Sequence, residues 1–301
     1  MTIEALRTPD ECFSVLPAYP YTPNYIDDLP NYEGLRMAYV DEGPADAEHV
    51  FLCLHGEPTW GYLYRKMIPV FSKPGHRVVV PDLFGFGRSD KPVDDADYTF
   101  DFHRNSLLRF IERLDLRNII LVCQDWGGLL GLTLPMDMPD RFKRLLVMNT
   151  FIPIGEHVSP GFDAWKSFAK TVPDIPVAGM IATDALSAVN PMDAVAYDAP
   201  FPDGRYKAGV RSFPQRVPVA PGMDGIEHGI RAREFWSEKW QGESFMAVGQ
   251  RDGVLGGPVM EELRGMIRGC PEAMSLPDAG HFVQEYGEAI AERALEHFRL
   301  G

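Results

Sequence analysis

The sequence has no apolar run near the ~20 residues needed to span a bilayer. Nothing between Met1 and Asp10 has the apolar core of a secretory leader, so neither a membrane span nor an export signal is expected. Cysteine is scarce. Cys12, Cys53, Cys123 and Cys270 form no CxxC pair, which argues against a disulfide framework or a zinc site of usual spacing. Free, buried thiols in a reducing, cytoplasmic setting are expected instead. Positive charge is also short: 29 Lys and Arg face 43 Asp and Glu, a net charge of -14. That balance disfavours nucleic acid and anionic membranes as partners. There is no internal repeat, low-complexity tract or cluster of metal-ligating side chains, so neither metal nor cofactor is expected. No serine stands in a complete GxSxG. Gly87-Arg88-Ser89-Asp90-Lys91 fails at its last position and reads as a turn.

What is present is an alternation of strands and helices. With 301 residues, 45% of them hydrophobic, the chain suits one large domain carrying an insertion. His49 to Leu54 and Asn118 to Leu121 are nearly continuous apolar runs, as expected for central strands covered on both faces. Further strands are expected near Tyr25 and over Arg36–Val40, Arg77–Val80, Arg144–Met148, Ser244–Val248 and Ala273–Leu276. A helix of about 12 residues carries Tyr62 to Phe71. Others cover Phe102–Leu114, Leu129 to about Met138, Ile230–Trp240, Pro258–Ile267 and Ile290–Phe298. This rhythm predicts an α/β fold with a mostly parallel, eight-stranded, doubly wound sheet flanked by helices. From Ile152 to His228 the texture changes to prolines and short helices, with no buried strand. The expected organisation is a core from residues 1–151 and 229–301 with a helical cap at 152–228.

The chain is organised around Val122-Cys123-Gln124-Asp125-Trp126-Gly127-Gly128. A strand stops there, the chain turns sharply and a helix starts. Small residues two before and two after Asp125 meet the steric demand of a nucleophile elbow. The usual elbow carries serine; this one carries aspartate. Asp252 and His281 follow later strands, in the order nucleophile, acid, base. Glu57, Asp125, Asp252 and His281 all fall just past carboxyl ends of strands, the edge where open α/β sheets bind ligands.

A carboxylate attacking an ester would form a high-energy anhydride, so ester and amide hydrolysis is unfavourable. Displacement at an sp3 carbon instead gives an alkyl ester on Asp125, which water activated by His281 can cleave. Asp252 would orient the imidazole. Two substrate classes fit, alkyl halides and epoxides. Ester cleavage needs two donors for the developing oxyanion, and the backbone N–H groups of Trp126 and Glu57 are suited to it. A halide needs donors without acceptor character, and an indole N–H is donor only. Trp126 adjoins the nucleophile. Trp165 would be a second donor, or ordinary packing. An epoxide would draw on Tyr197 and Tyr206. A binding protein of this fold with little turnover is the reading from another class; an intact triad argues against it.

These residues carry a resemblance. His55-Gly56-Glu57-Pro58-Thr59-Trp60, Pro81-Asp82, Gly85 to Pro92, Gln124 to Gly128, Ala199 to Asp203 and Ala279-Gly280-His281-Phe282 are similar to the haloalkane dehalogenases, within the α/β-hydrolase superfamily. The similarity runs almost end to end and points to the subfamily that includes the 1,2-dichloroethane-degrading enzyme. Glu57 discriminates against epoxide hydrolases, which usually carry an aromatic residue there. The resemblance implies hydrolysis of a haloalkane to a primary alcohol, halide and proton. It implies Asp125 as nucleophile, His281 as base, Asp252 as acid, and Trp126 with Trp165 as halide donors. It also implies an apolar pocket of Phe162, Phe213, Pro214, Val217, Val254 and Leu255. The partners would be a small haloalkane, water and halide, bound by a monomer. Ala169 to Asn190 matches less well, and Leu129 stands where the dichloroethane enzyme has an aromatic residue. Both departures bear on substrate preference.

Overall fold

The apolar runs Val50–Leu54 and Ile119–Cys123 contain no exposed residue and pair in parallel at the centre of the sheet. The computed structural model describes residues 3–172, 174–184 and 189–301. The residues of the divergent stretch 169–190 at 173 and 185–188 lie outside the described residues, as do Met1 and Thr2.

In chain order the strands are β1 (Ala5–Leu6), β2 (Asn24–Ile26), β3 (Met37–Glu42), β4 (Val50–Leu54), β5 (Arg77–Pro81), β6 (Lys91–Pro92), β7 (Ile119–Cys123), β8 (Phe142–Met148), β9 (Glu243–Gly249) and β10 (Met274–Leu276). Eight of them form one sheet in the order β10-β9-β8-β7-β4-β5-β3-β2, while β1 pairs with β6 alone. The pairings β2–β3 and β3–β5 are antiparallel, and the other five in the sheet are parallel. Leu54 lies opposite Cys123, and Met148 opposite Ala247. The loops carrying Glu57, Asp125, Asn149 and Asp252 therefore leave one edge of the sheet side by side.

The helices are α1 (Ile68–Ser72), α2 (Phe100–Arg113), α3 (Asp125–Gly131), α4 (Pro160–Thr171), α5 (Val177–Asp184), α6 (Pro191–Ala196), α7 (Ala208–Arg216), α8 (Ile226–Glu234), α9 (Gly257–Met266) and α10 (Gly287–Phe298). None of the described helices is long and apolar enough to cross a membrane. Between β8 and β9 the described residues form helices, turns and irregular backbone, with no strand. Ser159 starts α4 by accepting the Phe162 N–H, and Asn190 starts α6 by accepting that of Asp193.

Two helices are shorter than the periodicity suggests, and proline explains both. The 12-residue helix after Trp60 is instead a 3₁₀ turn at Gly61–Tyr64 followed by α1. Pro69 sits in the first turn of α1, where its missing N–H costs nothing, whereas in one helix running from Gly61 its ring would collide with the Arg65 carbonyl and an interior N–H would be lost. The helix expected to reach Met138 ends at Gly131. Pro135 lies four residues on, where its ring would collide with the Gly131 carbonyl of a continuing helix. The helix expected over Ile230–Trp240 starts earlier, at Ile226, and ends in a π turn at Phe235–Lys239.

Candidate active site

Asp125 begins α3 with φ +50, a left-handed conformation that is strained for a non-glycine residue. The turn closes because nothing larger than glycine fits at position 127: a Cβ there would lie 2.0 Å from the Leu54 carbonyl oxygen. The Asp125 N–H donates to the Asn149 carbonyl over 2.9 Å. His281 Nε2 stands 3.4 Å from Asp125 Oδ2, and its Nδ1 lies 2.8 Å from Asp252 Oδ2. Asp252 is buried. Its Oδ2 also accepts from Asn149 Nδ2 over 2.8 Å, and its Oδ1 accepts from the backbone N–H groups of Val254 and Leu255.

These contacts set the charges. Burial by itself raises the Asp252 carboxyl, but His281, Asn149 and the Leu255 N–H outweigh it and hold the group down at about 2. Burial likewise lowers His281, and the two carboxylates of Asp252 and Asp125 overcome it, leaving the imidazole well above its ordinary range. Glu57 donates its N–H to Asp125 Oδ1 over 2.8 Å. The Glu57 side chain is buried beside Asp125, so burial and then that charge push its carboxyl far up. Its Oε1 has no hydrogen-bond partner among the described residues. Trp126 lies in the first turn of α3, where backbone N–H groups have no partner from a preceding turn.

Ser89 is not a rival nucleophile. Its hydroxyl is buried, donates to the Asp82 carbonyl and accepts the Ala38 N–H. His55 also lies outside the chemistry. Its Nε2 accepts the Leu83 N–H over 2.9 Å, its Nδ1 lies 2.9 Å from the Gly56 carbonyl, and burial lowers it to about 4. It is a neutral brace for the turn that carries Glu57.

A cavity of about 660 Å³ opens over Asp125 and His281. Trp126, Trp165, Phe162, Pro214, Val217, Val254 and Leu255 line it. Phe213 does not and needs correcting: it is fully buried behind Trp126, with ring centroids 4.4 Å apart. Phe213 and Pro214 are adjacent on α7, roughly 100° apart around the helix, and Pro214 is the one that faces the cavity. Of the five tryptophans, Trp60, Trp236 and Trp240 donate their indole N–H to Ala196, Leu132 and Ser244. Trp126 and Trp165, the two on the cavity, donate to no acceptor among the described residues. Tyrosine is missing from the described wall. Tyr197 is buried against Glu285 and Arg65, and half-buried Tyr206 stands elsewhere.

Sequence reasoning missed several neighbours. Asn149 follows β8 directly, and its place past a strand end was the available signal. Gln124 Nε2 lies 3.0 Å from His281 Nε2 and donates to the His281 carbonyl over 3.1 Å. Phe151, Phe168, Met180, Thr183 and Asp184 also line the cavity. They come from segments whose apolar pattern reads equally as ordinary packing.

Comparison with known proteins places the chain at two levels. A family model described as alpha/beta hydrolase fold matches residues 49–288, the class that the sheet order and the elbow define. Within it, the chain is 43% identical to a haloalkane dehalogenase from Psychrobacter cryohalolentis, over 98% of each chain. It is 41% identical to one from Mycolicibacterium paratuberculosis, over 97% of this chain and 98% of that one. A solved structure, described as the tetrameric haloalkane dehalogenase DpaA from Paraglaciecola agarilytica NO2, is 63% identical over 98% of each chain with a TM-score of 0.96. The chain belongs to the haloalkane dehalogenases, hydrolases that act on carbon–halide bonds of small haloalkanes. The epoxide hydrolase and receptor readings are not favoured.

Proposed function

We propose that Asp125 displaces halide from a haloalkane and that His281 drives hydrolysis of the resulting ester. Asp125 Oδ2 attacks the saturated carbon. The carbon–halogen bond breaks with its electron pair on the halide, which the indole N–H groups of Trp126 and Trp165 receive. His281 then takes a proton from water, and the hydroxide attacks Cγ of the ester. Negative charge collects on Oδ1, where the N–H groups of Glu57 and Trp126 stabilise it. The intermediate collapses, the alkoxide takes the proton from His281, and a primary alcohol leaves. The acid proton of regenerated Asp125 is the proton released overall. Asp252 holds the ring and balances the imidazolium.

The observation that carries this reading is the joint contact of Asp125, with the Glu57 N–H on one oxygen and His281 facing the other. The paired indoles and the absence of tyrosine from the described wall support halide over epoxide oxygen as leaving group. The 152–228 segment, proposed as the cap, supplies Phe162, Trp165, Pro214 and Val217 to the cavity. A cytoplasmic, reducing setting fits the free thiols. The tetramer described for the 63% identical relative argues against the monomer expected from sequence, and light scattering decides the state of this chain. A single turnover in ¹⁸O water tests the mechanism. The label is expected in the Asp125 carboxylate; label in the first alcohol released would mean direct attack of water on the haloalkane.

A further inference from the structure

Asp184, the last residue of α5, reaches out of the helical insertion to the loop that carries His281. Its Oδ1 accepts the His281 N–H over 3.0 Å, and its Oδ2 accepts the Phe282 N–H over 3.1 Å. Both oxygens are used, and charge-assisted bonds of this kind are the stronger sort. The packing around the contact is tight. A Cβ on Gly280 would lie 2.5 Å from Asp184 Oδ1 and 2.6 Å from Oδ2. Four residues after His281, Glu285 is bound by the Arg65 guanidinium through both oxygens and by the hydroxyl of Tyr197, which directly follows α6. The segment from His281 to Glu285 is thus gripped from the insertion at both ends.

We propose that Asp184 is a positioning residue that sets where the base stands, so that the insertion controls the hydrolytic step as well as the shape of the cavity. The inference rests on His281 acting as base. Asp252 fixes the His281 ring from one side, while the backbone beneath the ring is fixed by Asp184. Freeing that backbone lets Nε2 drift from its place 3.4 Å from Asp125 Oδ2. Displacement of halide by Asp125 does not use His281, whereas ester hydrolysis does. Loss of the clamp therefore falls on the second step. An amide cannot replace the carboxylate. Its oxygen accepts one N–H, and its NH₂ group faces the other donor.

Rapid-quench kinetics with 1,2-dibromoethane test this in Asp184→Asn, Asp184→Ala and Gly280→Ala. Alkylation should stay within about twofold of the parent, and ester hydrolysis should slow by roughly tenfold or more, the scale expected for a misplaced catalytic group. The alkyl-enzyme should accumulate on Asp125. Gly280→Ala pushes the carboxylate aside and should behave alike, yet add no further slowing in an Asp184→Ala background, since the two changes remove one contact. Unchanged bromide quenching of tryptophan fluorescence shows that the site is folded. Hydrolysis at the parent rate in Asp184→Asn, or equal slowing of both steps, overturns the clamp. His281→Gln run in parallel separates the two ideas. If it traps the ester and Asp184→Asn does not slow hydrolysis, the clamp alone fails. If it traps nothing, the role of His281 fails.

Discussion

The Glu57 N–H donates to Asp125 Oδ1 over 2.8 Å, and this bond makes the two carboxylate oxygens unequal. Oδ1 is held and points at the oxyanion donors. Oδ2 is left toward the cavity and His281. In the proposed mechanism the nucleophilic oxygen and the oxygen that later carries the negative charge are thereby assigned before substrate enters. Preorganisation of this kind costs no rearrangement during the reaction.

Halide binding should depend on the two indoles that have no acceptor among the described residues. Trp165→Phe removes a hydrogen bond to a charged group, worth about 1.5–3 kcal/mol, or roughly a ten- to hundredfold loss of bromide affinity. Trp60→Phe should leave bromide affinity unchanged, because that indole N–H is committed to the Ala196 carbonyl. Bromide titration followed by fluorescence reads both. Equal affinity in Trp165→Phe and the parent would make Trp165 a packing residue.

His281 should hold its proton less tightly once the ester forms. Burial lowers the imidazole, and Asp252 and Asp125 together raise it well above its usual range. Esterification removes the Asp125 charge and with it one of the two raising influences, so the folded-state value falls. Below that value the imidazolium persists and hydrolysis stalls; above it the neutral base forms, so raising the pH speeds the second step. Single-turnover hydrolysis of the ester, followed across pH, should show its rate rising with pH. A rate that is flat or falls as the pH rises would contradict this coupling.

Asn149 should matter for both stability and turnover. It donates to Asp252 Oδ2 and to the Gly249 carbonyl, and accepts the Gly249 N–H over 2.9 Å. Asn149→Ala leaves these buried groups short of partners, at a cost of about 1–3 kcal/mol. The urea midpoint should fall, and ester hydrolysis should slow as Asp252 loses a donor. An unchanged midpoint would mean that neighbouring groups take over those hydrogen bonds.

Much of this site was legible in the chain because strand ends announce it. Apolar runs at Val50–Leu54 and Ile119–Cys123 define the sheet centre, and the small residues around Asp125 define the turn. Asp252 and His281 follow from their order and their places after later strands. Contacts between distant segments carry no local pattern. Asp184 lies 97 residues from His281, and Gln124 is 157 residues from it. Phe213 was misread for a related reason. Sequence identifies an apolar position next to Pro214, while the rotation of α7 decides which side chain meets the cavity and which one backs Trp126. Two helix ends failed where the proline at 69 or 135 overrode the apolar period, and the helix expected from Ile230 instead starts at Ile226 and ends in a π turn.

The central claim is that Asp125 forms the covalent bond and His281 breaks it. His281→Gln should still be alkylated and should not recover. After exposure to 1,2-dibromoethane, peptide mass spectrometry should find a stable bromoethyl ester on Asp125 in nearly every molecule. An adduct on any other residue, or no adduct with bromide still released, would contradict the account.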